Sequence, residues 1–167
     1  MLEMPYSDYV NLSAKDKKIY QASDKVANLK LKNTVELIPK INDVKTALLS
    51  ENKANVQQSS QALATNLTKQ LEVPTVKIKV LACRPYNYYG EMHGMYEPVT
   101  EKKKFAEISV WMRTAKRKQV VAFKTYLRTL FHELCHHFDY ELLELEDSFH
   151  TEGFFKRESS LIKQLVL

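Results

Sequence analysis

Residues 123–138 read Phe-Lys-Thr-Tyr-Leu-Arg-Thr-Leu-Phe-His-Glu-Leu-Cys-His-His-Phe, and the rest of the chain can be understood outward from them. Phe123, Leu127, Leu130, Phe131, Leu134 and Phe138 recur at three- and four-residue steps, the period of a helix with one apolar face. Inside that helix, His132-Glu133-Leu134-Cys135-His136 has the form H-E-x-x-H. Side chains four apart on a helix lie about 40° apart around the axis. Both imidazoles therefore reach one metal ion, while the apolar residues pack on the opposite side. Glu133 stands between the two histidines, where a base would meet a water held at that metal. Cys135 faces away from the pair and reads as a buried, inert thiol. His137 points off the metal face, as a surface or supporting residue. Asp139, three residues past His136, reads equally as a group that orients that histidine or pairs nearby and as a solvated charge.

Two imidazoles hold Zn2+ weakly. A catalytic zinc takes three protein ligands and keeps one position for water. The acidic and histidine candidates downstream are Glu141, Glu144, Glu146, Asp147, His150, Glu152 and Glu158. Glu141 and Glu144 are expected on the continuing helix, and Glu146-Asp147-Ser148 in the turn that reverses the chain. His150 and Glu158 remain, and with Phe154 they are expected on one side of a last helix. Glu158 shares the stripe of Phe154, Leu161 and Leu165. A carboxylate among apolar residues needs a partner, either the metal or the far nitrogen of a ligand imidazole. We take His132, His136 and His150 as the ligands, with Glu158 as the rival for third place.

The flanking sequence predicts an α+β architecture. Residues 1–72 hold no glycine, phenylalanine or tryptophan. Ser13 with Asp16 resembles a capping box, after which Ile19, Ala22, Val26 and Leu29 recur at helical spacing. Leu37, Ile41, Val44 and Leu48 repeat the pattern, with Pro39 at a helix start or a kink. Val56, Leu63, Leu67 and Leu71 give a third helix. Between residues 73 and 112 the period falls to two. Val76, Ile78 and Val80 alternate with lysines, and Ala106 to Trp111 alternates again, so both read as strands. Tyr86 to Tyr96 is expected as a loop or irregular hairpin, and Lys102-Lys103-Lys104 as a solvated turn. We expect one domain: a helical region over residues 1–72, and a catalytic core over residues 73–167 of a small sheet, the metal helix and a C-terminal helix. A sheet with two helices makes a marginal core by itself. The N-terminal helices are therefore expected to pack on it and to wall or cover the cleft.

Residues 106–165 resemble the zincin metallopeptidases, most of all their SprT-like branch. That branch has an edge strand, an H-E-x-x-H helix, a short link, and then H-G-x-x-F/W opening another helix. Here the last motif reads His150-Thr151-Glu152-Gly153-Phe154: the histidine and the aromatic match, and Thr151 stands in place of the glycine. A glutamate as third ligand would instead resemble the gluzincins. The resemblance implies hydrolysis of a protein or peptide substrate by a zinc-activated water, with Glu133 as the general base. The alternative is a zincin-fold protein that keeps its metal for binding or regulation and cuts nothing.

Composition bounds the remaining possibilities. The chain has 167 residues, 44% hydrophobic and 27% charged, enough to bury a core. No run approaches the roughly 18 apolar residues of a membrane span. The first residues, Met-Leu-Glu-Met-Pro-Tyr, lack the basic and apolar regions of a secretory signal. The two cysteines, Cys83 and Cys135, read as reduced thiols, which predicts a cytoplasmic location. The net charge of +5 permits nucleic acid as a partner without demanding it. Arg113, Lys116, Arg117, Lys118, Lys124 and Arg128 precede the metal motif and read as a solvated basic face. His93 is expected to be structural or solvent-exposed, and Tyr88, Tyr89 and Tyr96 to pack, although each could approach the site.

Overall fold

The computed structural model describes residues 9–88 and 90–165. Helix α1 spans Ala14–Asp24, α2 Thr34–Leu49 and α3 Lys53–Gln70. Strand β1 spans Lys77–Cys83, and β2 (Tyr86–Asn87) pairs with β3 (Gly90–Glu91) in a short antiparallel hairpin. Strands β4 (Gly94–Glu97) and β5 (Glu107–Arg113) complete the β region, and α4 (Phe123–Glu141) and α5 (Glu152–Leu165) follow. The sheet has the order β1-β5-β4, with β1 parallel to β5 and β4 antiparallel to it. The α+β expectation is met. The strand at residues 107–113, expected at an edge by the resemblance, instead lies in the middle of the sheet, and β4 from the tyrosine-rich segment forms the edge.

One continuous core explains the arrangement. The buried faces of α2, α3, α4 and α5 meet the apolar side chains of β1 and β5, including Ile78, Val80, Ile108 and Val110. Helix α3 lies along β1, and α4 packs on β4 and β5. Three of the helix starts are capped as their sequences direct: Ser13 accepts from the Asp16 amide, Asn33 from Glu36, and Asn52 from Asn55. Pro39 sits inside α2 rather than at its start. The carbonyl that Pro39 cannot serve belongs to Val35, a residue that is 76% exposed to solvent.

The first helix is shorter than its spacing predicts. It ends at Asp24, and Val26 and Leu29 lie beyond it in a segment without regular structure. From Leu29 the pattern changes to alternation: Leu29 and Leu31 are buried while Lys30 and Lys32 are exposed. The backbone of this segment is held by side chains of α5. Gln164 donates to the Leu29 carbonyl at 2.7 Å and accepts from the Leu31 amide at 3.0 Å. Those partners satisfy groups that a helix would have paired within itself.

Candidate metal centre

Helix α4 buries Leu127, Leu130, Phe131, Leu134, Cys135 and Phe138 as its period predicts. Burial pushes the Cys135 thiol well up, which keeps it protonated and inert. The opposite face carries His132 and His136 into a cavity of about 890 Å3. The loop after α4 brings His150 to the same place. His150 Nε2 lies 3.1 Å from His132 Nε2 and 3.0 Å from His136 Nε2. The three residues form a cluster able to hold a metal ion. Phe154 supports all three rings, at centroid distances of 5.0, 4.7 and 5.2 Å from His132, His136 and His150.

The far nitrogens of two imidazoles have fixed partners. Glu158 Oε2 lies 3.2 Å from His132 Nδ1. A carboxylate accepts, so Nδ1 carries the proton and Nε2 keeps a lone pair. His136 Nδ1 lies 2.7 Å from Ser148 Oγ, and that hydroxyl donates to Asp139 Oδ2 at 2.7 Å. With its proton committed to Asp139, Ser148 accepts from His136 Nδ1–H, and His136 Nε2 also keeps its lone pair. Both lone pairs are aimed at His150 Nε2, which has one proton at most to offer. A divalent cation held by the three Nε2 atoms would relieve that crowding. At Zn–N distances of about 2.0–2.1 Å, tetrahedral neighbours stand about 3.3 Å apart, close to the separations found here. The donor set therefore fits zinc. Burial and the neighbouring imidazoles hold His136 down to about 3, so it stays neutral, as a ligand must be.

Glu133 is 7% exposed and lines the same cavity. Burial pushes its carboxyl up to about 7, against the opposing pull of His132. Gly94 on β4 presses against it. A Cβ built at Gly94 would stand 2.9 Å from Glu133 Cγ and 2.9 Å from Thr129 Cγ2, so only glycine lets the strand pass this close.

Several expectations change on contact with the structure. His150 precedes α5 instead of lying on it, and Glu144 falls outside α4. The residue that starts α5 is Thr151: its hydroxyl accepts from the Phe154 amide at 2.9 Å and bonds Ser23 Oγ at 3.0 Å. The threonine that departs from the family motif is thus a helix cap. His137 is fully buried, not a surface residue, and bridges the Pro74 carbonyl at 2.7 Å and the Tyr96 hydroxyl at 2.9 Å. Tyr96 packs as expected, against His136 and Tyr140, while its hydroxyl is committed to His137. Tyr88 is 98% exposed, and Tyr89 lies outside the described residues. His93 lines the cavity. No residue of the N-terminal helices does so among the described residues; they pack on the core without walling the cleft.

Sequence reasoning placed Ser148 only in the turn and passed over Arg157. Arg157 is fully buried, and its guanidinium donates to Asp139 Oδ1 at 2.9 Å, to Ser23 Oγ at 2.9 Å and to the Val26 carbonyl at 2.6 Å. The signal was available: an arginine beside Glu158 on the apolar stripe of α5 needs a buried acceptor. No family model matches the chain, and neither a curated protein nor a solved structure matches it.

Proposed function

We propose that the protein is a zinc-dependent peptidase of the zincin type, with His132, His136 and His150 as metal ligands and Glu133 as the general base. The observation that carries this reading is the convergence of three Nε2 atoms, two with lone pairs fixed from behind, on a cavity that also holds Glu133. Zn2+, when bound, supplies a Lewis acid that acidifies water and polarises a carbonyl. Glu133 takes the proton of the attacking water on its carboxylate and returns it to the amine that leaves. Ser148, Asp139 and Glu158 hold the two α4 imidazoles in the tautomer that ligation needs.

The sheet favours an extended substrate. Gln57 and Gln61 occupy the outer edge of β1. Strand β4 is the other edge and contributes Gly94, Met95 and Tyr96 to the cavity, so a peptide strand has a track past the ligands. Glu133→Gln tests the reading. The variant should bind zinc as the parent does and lose cleavage of a denatured protein substrate, by at least about 100-fold. Equal cleavage by the two proteins would overturn the assignment.

A further inference from the structure

Lys124, Arg128, His132 and His136 stand four residues apart and follow one face of α4 into the cavity. Both cations are exposed, and no carboxylate among the described residues pairs with either. The cavity has two carboxylates of its own, Glu91 and Glu133. Glu91 is already engaged: it lies 3.5 Å from Arg84 and accepts from the Ala115 amide. Glu133 is buried against Gly94 and forms no ion pair with either cation. The cavity therefore presents two cations that no ion pair engages.

Their position also runs against local rules. Lys124 is in the first turn of α4, which has no acidic residue, and the N-cap Ala122 offers no side-chain acceptor. A cation there opposes the helix dipole and costs about 0.3–1 kcal/mol. Local conflicts of this kind are expected where function sets the residue.

We propose that Lys124 and Arg128 determine specificity, by selecting peptides that carry a glutamate or aspartate two to four residues from the scissile bond. The spacing follows from helix geometry. Arg128 and Lys124 lie about 6 and 12 Å from His132 along the axis, at 1.5 Å per residue. An extended peptide advances about 3.3 Å per residue, so those distances correspond to about two and four residues. The carboxylate would sit between an ammonium and a guanidinium that have no competing partner. The proposal rests on the peptidase reading for its scissile bond, but its charge preference can be measured without catalysis.

The experiment uses ten-residue synthetic peptides in which one glutamate is walked along the chain, each with a glutamine twin. Binding is read by fluorescence anisotropy on the zinc-loaded Glu133→Gln protein, and cleavage by mass spectrometry on the parent. The best glutamate peptide should bind about five- to tenfold tighter than its twin at low salt, and the ratio should shrink toward one in 1 M salt. In Lys124→Gln/Arg128→Gln the ratio should fall to about one. In Lys124→Glu/Arg128→Glu it should fall below one, the glutamine twin binding tighter than the glutamate peptide. Cleavage without any glutamate preference would overturn this proposal and leave the peptidase reading standing. A glutamate preference in binding without cleavage would support the charge selection and sink the peptidase reading. Equal binding of the twins, or displacement of every peptide by a twelve-nucleotide single strand, would overturn the proposal.

Discussion

His150 and Glu158 are eight residues apart in the chain and meet opposite nitrogens of one imidazole, that of His132. His150 faces Nε2 at 3.1 Å, and Glu158 faces Nδ1 at 3.2 Å. The two rivals for the third ligand position therefore have different places, and their substitutions should differ in kind. His150→Ala should abolish stoichiometric zinc. Glu158→Gln should weaken zinc about 10–100-fold, because it removes a charge behind a ligand and not a ligand itself. Chelator competition on the two variants measures both. Retention of zinc by His150→Ala together with its loss in Glu158→Gln would exchange their roles.

A helix and a strand can match as well as two strands do, and α3 against β1 is such a case. Gln57 donates to the Ile78 carbonyl at 2.6 Å and accepts from the Val80 amide at 2.7 Å. Gln61 donates to the Val76 carbonyl at 3.0 Å and accepts from the Ile78 amide at 2.8 Å. Each primary amide imitates a peptide group of a neighbouring strand. The fit is geometric: four residues of helix rise about 6 Å, and two residues of strand about 6.6 Å. The edge that would otherwise invite another chain is covered. Gln57→Ala/Gln61→Ala should lower stability by about 1–2 kcal/mol per site, read from the urea midpoint, and should increase light scattering on standing. An unchanged midpoint would mean that water serves those backbone groups equally well.

Across the whole molecule, Arg157 joins the N-terminal segment to the three-histidine cluster. Its guanidinium gathers the Val26 carbonyl and the Ser23 hydroxyl on one side and Asp139 on the other, and Asp139 reaches His136 through Ser148. Two further contacts tie α1 to the loop that carries His150: Thr151 with Ser23, and the rings of Tyr20 and Phe149 at 6.1 Å. The N-terminal region thus supports the histidine cluster from behind the cleft. Deleting residues 1–33 should leave Arg157 with Asp139 as its one remaining partner of these three. It should also weaken zinc by about 10–100-fold, with reduced thermal stability. Calorimetry and chelator competition check the two effects. A truncated chain with the parent's zinc affinity would show that the ligand loop holds its place alone.

The elements that repeat in the chain are legible in the amino-acid order alone. The apolar period of residues 123–138, the alternation at Val76–Val80 and the H-E-x-x-H spacing depend on neighbours a few residues apart, and local geometry turns each into a helix, a strand or a facing pair of imidazoles. The spacing of Val26 and Leu29 misleads because a run of leucines and lysines suits either period. The choice is made by Ser160, Gln164 and Arg157, more than 130 residues away, which pair the backbone of an unwound chain. Burial of His137, the edge position of β4, the cap at Thr151 and the relay from Asp139 through Ser148 to His136 are also decided by tertiary structure. The residue types of the candidate site are set by the sequence; which nitrogen of His132 and of His136 keeps its lone pair is set by partners that only folding brings into hydrogen-bond range.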